Sequence, residues 1–331
     1  MRLVPLLVLA LGLAASSVHA TPRPDLVRGI VLSTHTDGSD WGSPELRSTL
    51  EEIRGLGAEW ITIHPYCWIE GNGTVHFERL DPASLPYQLA HPIREAHALG
   101  LKILIQPHVG YWGSPFSWAG AITFQDNLEW DRFFRSYRDW VTNLAETCRE
   151  ADGFVVGTEL DSTLSREAEW RQIIADVRTR TKVPLTYAAN WNRYREVPFW
   201  DVLDVIGIQA YFPLADSTNA DDAALREGWA RVTREVRAFS EKEGRKVVFT
   251  ELGYNRSLSA AVRPWEYHVD GPEAEAMQVR CFRVALTAIR EEPSIVGVFL
   301  WKWFPNPHPV GRNFQLATPA VKGVISEAWK E

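Results

Sequence analysis

Eight segments with the composition of buried strands alternate with helical ones along the chain, and together they predict a single α/β domain folded as a (β/α)8 TIM barrel. Three observations carry that expectation. In Lys246-Val247-Val248-Phe249-Thr250-Glu251-Leu252-Gly253-Tyr254, four consecutive apolar or β-branched residues sit between Gly244 and Gly253 and then end on a carboxylate, Glu251. Such a run is how a strand buried on both faces reads. The stretch Gly153-Phe154-Val155-Val156-Gly157-Thr158-Glu159-Leu160 repeats the pattern and ends on Glu159. A parallel strand that delivers an acid at its C-terminal end is how a barrel presents reacting groups at its mouth. Finally, no Gly-rich phosphate turn follows the first strand, which removes support for a doubly wound open sheet.

In order, the first strand spans residues 27–33 and leads to a helix over 44–56, capped by Ser43 and stopped by Gly57. The second strand, 59–64, opens into a loop with Tyr66, Trp68 and the turn Gly71-Asn72-Gly73, followed by a helix over 87–99. The third strand, 101–106, ends at Pro107-His108 and is followed by an aromatic loop. The helix over 127–149 places Trp130, Phe134, Tyr137 and Val141 on one face. The Glu159 strand is fourth, with a helix over 165–181. The fifth strand, 185–189, ends at Asn190-Trp191, and only a helical turn over 199–203 separates it from the sixth, 204–210, which ends at Tyr211. A helix over 222–243 precedes the seventh strand with Glu251. A helix from 271 to 291 precedes the eighth, 295–300, which ends at Trp301-Lys302-Trp303, and a last helix spans 319–329.

Residues 1–20 read as a signal peptide: Arg2, an apolar core from Leu3 to Ala15, and the small-residue site Val18-His19-Ala20, with cleavage near Ala20. The expected product is a single domain over 21–331, secreted or periplasmic, acting as a monomer away from any membrane. Net charge is −7, or −8 once Arg2 is removed, and no basic run interrupts it, which argues against nucleic acid as a partner. Cys67, Cys148 and Cys281 have no metal-ligand spacing and are too few for a disulfide framework, although one pair could bridge. Fifteen tryptophans are present, and Trp41, Trp68, Trp112, Trp118, Trp191, Trp265 and Trp303 fall where loops are expected. Flat apolar rings bury the CH faces of sugars at little entropic cost.

Collecting strand ends gives His35, His64, His108, Glu159, Asn190, Tyr211, Glu251 and Trp301 around one pocket. Two acids on opposite strands, polar groups and a Trp floor suit glycoside hydrolysis, with one acid protonating the leaving oxygen and the other attacking the anomeric carbon. Tyr211 is placed to hydrogen-bond the attacking carboxylate and Trp301 to floor the sugar site. His64, His108, Trp112 and Trp191 are the further candidate substrate contacts. A metal-dependent amidohydrolase would need His-x-His after strand one, histidines after strands five and six and an Asp after strand eight. The chain has His35-Thr36-Asp37, Asn190, Tyr211 and Trp301 there, so no metal or other cofactor is expected. A non-catalytic carbohydrate-binding barrel would keep the tryptophans but has no reason to keep both glutamates.

The blocks Gly157-Thr158-Glu159-Leu160, Pro184 to Trp191, Asp204 to Tyr211, Thr250-Glu251-Leu252-Gly253-Tyr254 and Gly297 to Phe304 resemble glycoside hydrolase family 113, within the clan A retaining glycosidases. The resemblance runs from the first strand to the last. It implies endo-β-1,4-mannanase activity on a polysaccharide or oligosaccharide, with Glu159 as acid/base and Glu251 as nucleophile. Other clan A activities, on glucan, xylan or chitosan, are the alternative. Most of that clan has Asn directly before the acid/base, reading the sugar 2-hydroxyl, whereas this chain has Thr158. The expectation is that Asn190 and Thr158 share the contact.

Overall fold

The computed structural model describes Arg23, residues 25–305 and residues 313–330. Residues 1–20, expected to form a signal peptide cleaved near Ala20, lie outside the described residues. In chain order the elements are β1 (Val27–Leu32), α1 (Leu46–Gly55), β2 (Trp60–Ile63), β3 (Tyr66–Ile69), β4 (Val75–His76), α2 (Tyr87–Ala98), β5 (Lys102–Ile105), β6 (His108–Gly110), α3 (Asn127–Thr147), β7 (Gly153–Thr158), α4 (Glu167–Arg180), β8 (Leu185–Asn190), β9 (Ile206–Gln209), α5 (Asp222–Glu243), β10 (Val247–Leu252), α6 (Glu275–Glu291), β11 (Ile295–Trp303) and α7 (Pro319–Lys330). Eight parallel strands close in the order β1-β11-β10-β9-β8-β7-β5-β2, the expected (β/α)8 barrel.

The barrel follows from strands with no polar face. Every residue of β7, β8 and β10 is buried, so these strands need cover on both sides. Outward residues such as Ile61, Val156 and Phe249 join the core beneath the helices. Inward ones, Val31, Leu104, Val155, Ala188, Val248 and Phe299, fill the barrel itself. Helix ends obey their caps where the sequence supplies one. Asp126 accepts from Glu129 N at 2.8 Å at the start of α3, and Asp221 accepts from Ala224 N at 2.8 Å at the start of α5, which stops at Gly244 with φ 64°.

Three local expectations are corrected. The first helix starts at Leu46, behind Glu45, and Ser43 instead closes the preceding 3-10 turn through its backbone N–H to Asp40 O. The aromatic loops after the second and third strands contain a small sheet, β4-β3-β6, in which β3 pairs parallel with β6. The eighth barrel strand runs on to Trp303 rather than stopping at Leu300. The three cysteines are buried free thiols, so none is bridged. Among the described residues no helix is long and apolar enough to cross a membrane.

Gly29 shows how tightly the barrel floor is filled. A Cβ built there would lie 2.1 Å from Phe299 Cδ1, whose ring meets Trp60 edge-on at 6.2 Å. Gly29→Ala should therefore destabilise the fold by about 1–3 kcal/mol through overpacking. Thermal unfolding checks it: the Phe299→Leu change, harmful alone, should cost less in the Gly29→Ala background.

Candidate active site

Both glutamates stand where their strands slip register. The β7–β8 pairing shifts between Val155 and Thr158, and the β10–β9 pairing shifts between Phe249 and Glu251. An irregularity of this kind breaks strict alternation and re-aims the side chains that follow. Val248 points into the barrel and Phe249 out of it, and after the shift Glu251 lies at the mouth. Glu159 also adopts φ 55°, a left-handed backbone rare outside glycine. Its N–H bonds Ala188 O at 2.9 Å, and the next N–H, of Leu160, bonds the buried Tyr187 hydroxyl at 2.8 Å. Those two bonds fix the turn.

Glu251 is 4% exposed and accepts two hydrogen bonds: Gln106 Nε2 on Oε1 at 2.7 Å and the Tyr211 hydroxyl on Oε2 at 2.7 Å. Gln106 Nε2 also lies 3.1 Å from His108 Nε2. His108 Nε2 also lies 3.6 Å from Glu251 Oε1. The carboxyl group of Glu159 accepts no hydrogen bond from the described residues. Burial pushes its pKa up to about 8, with the charges of Glu251 and Asp161 adding to the effect. One acid is thus surrounded by donors, and the other is left with its proton.

Asn190 lies at the end of β8, facing a cavity of about 1380 Å³ that both glutamates line. Its Nδ2 donates to both oxygens of Asp161, at 3.1 Å each. Thr158 lines the same cavity, and its buried hydroxyl has no hydrogen-bond partner among the described residues. Trp301 stacks with His108 at 6.2 Å, and Lys302 Nζ lies 4.9 Å from the Trp301 ring centre.

Among the loop tryptophans, Trp68, Trp112 and Trp118 line the cavity from the β3 and β6 side, and Trp191 and Trp265, stacked 5.5 Å apart, line it from the β8 and β10 side. Trp41 and Trp303 belong to the core instead; Trp41 donates Nε1 to Leu32 O at 3.1 Å. His64 is a further correction. It is 1% exposed, lies beneath the mouth against His108 and Trp301, and does not line the cavity. Its burial pushes its pKa well down.

The segment from Asn255 to Asp270 that carries Trp265 is pinned by side chains. Asp270 accepts from Leu258 N at 2.7 Å, from Ser257 Oγ at 3.1 Å and from His268 Nε2 at 2.8 Å, and Asn255 Nδ2 donates to Glu266 O at 2.6 Å.

Gln106 and Asp161 are absent from the sequence-derived site. Gln106 shares the inward face with Leu104 by the two-residue period, and the signal that could have found it is that both polar residues of 101–106, Lys102 and Gln106, fall on that face. Asp161 comes two residues after Glu159, in a 3-10 turn the sequence does not announce. Among the described residues, no group of three His, Cys, Asp or Glu side chains could hold a metal ion.

A closed barrel with paired acids at its mouth defines a glycosidase of the α/β-barrel type. The sequence profile described as Glycoside Hydrolase Family 113 matches residues 32–312, and the chain belongs to that family: it is a glycoside hydrolase. Among solved structures, the family 113 β-mannanase AaManA from Alicyclobacillus acidocaldarius, in complex with ManMIm, is 25% identical with TM-score 0.80, covering 92% of this chain and 97% of that one. A family 113 β-1,4-mannanase at 22% identity also gives TM-score 0.80, over 92% and 99%. A Ruminococcus gnavus β-glucuronidase at 15% identity and TM-score 0.62, over 93% of this chain and 50% of that one, shares the fold. No curated protein matches the chain.

The raised pKa of Glu159 has a consequence for stability. The folded chain holds this proton up to about pH 8, whereas the ordinary carboxyl value is 4.5. Folding is therefore favoured at low pH, and that contribution is lost as pH rises through about 8. Glu159→Gln should remove the dependence. Its Tm advantage over the wild type should widen from about pH 5 to about pH 8.5 in paired melting curves. A constant gap would place the desolvated acid elsewhere.

Proposed function

We propose that the chain is a retaining endo-β-1,4-mannanase, with Glu251 as nucleophile and Glu159 as acid/base. The observation that carries this reading is the asymmetry between the two acids. Gln106 and Tyr211 hold Glu251 as an acceptor, while Glu159 has no donor and keeps its proton up to about pH 8. Attack by a Glu251 oxygen forms the bond to the anomeric carbon as the glycosidic C–O bond breaks, and the Glu159 proton goes to the leaving oxygen. Esterification removes the charge of Glu251. Glu159, now deprotonated, takes a proton from water as that water displaces Glu251 and regenerates both groups.

The 2-hydroxyl is read by Asn190, which lines the cavity beside the acids, whereas the Thr158 hydroxyl expected to share the contact is shut away from the cavity. Tryptophans along both walls support binding of several consecutive sugars, which suits attack inside a polymer. The family 113 neighbours described as β-mannanases support the choice of mannan.

Two measurements test these assignments. The wild type should show higher kcat/KM on manno- than on cello- or xylo-oligosaccharides of equal length. A preference for cello-oligosaccharides would sink the mannanase reading and leave a retaining glycosidase. Glu159→Ala should slow substrates with poor leaving groups by roughly 10²–10⁴-fold, spare activated aryl glycosides, and regain turnover with azide as the β-glycosyl azide. For Glu251→Ala any azide product should be α. Exchange of these stereochemical outcomes reverses the two roles.

A further inference from the structure

We infer that Asp161 is a positioning residue: its carboxylate dictates which end of the Asn190 carboxamide faces the sugar, making Asn190 an acceptor for the 2-hydroxyl at the bond being cleaved. The inference rests on the glycosidase reading above and assigns a role inside the same site.

The geometry is specific. A primary amide can present either its donor or its acceptor end, and the two ends have nearly the same shape. Asp161 removes that freedom. Both of its oxygens receive Nδ2 of Asn190, at 3.1 Å each. An ionised carboxylate can only accept, so the reverse orientation would set Oδ1 against two like-charged oxygens. Asn190 Oδ1 accepts from no described residue and is not shut away from the cavity its side chain lines. It is therefore the group a sugar hydroxyl meets, and that hydroxyl must donate.

The Asp161 side chain has no other hydrogen-bond partner among the described residues. It is 8% exposed, and its turn is held by backbone bonds, Thr163 N to Leu160 O and Leu164 N to Asp161 O. The groups that face it are Arg193 and Glu196 from the segment after β8, Glu159 from its own turn, and Tyr187 from β8. Burial pushes its pKa up to about 6, so near neutral pH it is an acceptor only. A neutral amide in its place could pair with Asn190 in either sense and would leave the orientation undecided.

The test compares an aryl β-mannobioside with its analogue lacking the 2-hydroxyl on the ring bearing the aryl group. If the wild type prefers another sugar, the same pair is built on that sugar. A failed mannan assignment then shows in the wild type alone and leaves the Asp161 question intact. Asp161→Asn, which preserves shape, should lower kcat on the hydroxylated substrate by about 10- to 100-fold and leave KM within about threefold, because 2-position contacts strengthen in the transition state. The deoxy substrate should change by less than about threefold. In an Asn190→Ala background the same substitution should have no further effect. Equal losses on both substrates would make Asp161 a support of the turn or a neighbour acting on Glu159, and would overturn the inference. So would an unchanged Asp161→Asn enzyme, or a full Asp161 effect surviving in Asn190→Ala, which would mean that Asp161 meets the sugar itself. Asp161→Ala gives the same readings without a competing amide.

Discussion

Two carboxyl groups facing one cavity favour a single negative charge between them, and the architecture of the mouth follows from where that charge is kept. Donors converge on Glu251 from two other strands: Gln106 from the end of β5 and the Tyr211 hydroxyl from just beyond β9. Neither donor is a cation. A carboxylate held by neutral donors is stabilised without being tied into an ion pair, so it keeps lone-pair density to share with an electrophile. Glu159 receives nothing comparable and sits beside two other acids, Glu251 and Asp161, whose charges oppose its own. The difference in protonation between the two acids is thus produced by neighbours rather than by residue type.

Placing these groups requires departures from regular strand geometry, and the departures are local. A perfect parallel barrel alternates its residues inward and outward. The shifts before Thr158 and Glu251 break that alternation where β7 and β10 reach the mouth. The left-handed backbone at Glu159 adds a turn that a buried Tyr187 hydroxyl helps to hold. Below this level the barrel is conventional, with Val31, Val155, Val248 and Phe299 filling the interior. The stability of the apolar layers is what tolerates strain and buried polarity above them.

That division also explains what could be read from the sequence. The strand runs and their helices were legible because a parallel sheet covered on both faces writes itself as unbroken apolar segments, as in Val247-Val248-Phe249. The two glutamates were legible because they terminate such segments. Gln106 was legible only through the weak alternation that sets it with Lys102 and Leu104 on one face, opposite Leu101, Ile103 and Ile105. Asp161 was not, because its meaning comes from Asn190, a residue on the neighbouring strand and 29 positions away. His64 erred in the opposite direction. It follows a strand and adjoins a proline as His108 does, but β3 begins two residues later, and the ring lies under its neighbours. The small sheet was hidden because β4 has only two residues and β6 three, too short for any periodicity.

The two walls of the cleft are built from different bonds, and this bears on how its specificity can change over time. The wall carrying Trp68 and Trp112 grows out of the β4-β3-β6 ladder, whose backbone pairing, Tyr66 with His108 and Trp68 with Gly110, is indifferent to most side chains. The opposite wall, carrying Trp265, holds its shape through particular side chains, chiefly Asp270 and Asn255. Point substitutions can therefore redecorate the first wall while its path stays fixed. In the second wall, one substitution at a pinning residue can redraw the path of the backbone. Drift of residue identity on the sheet-borne wall and of loop shape on the other would give related enzymes different ways of meeting a polymer around the same pair of acids.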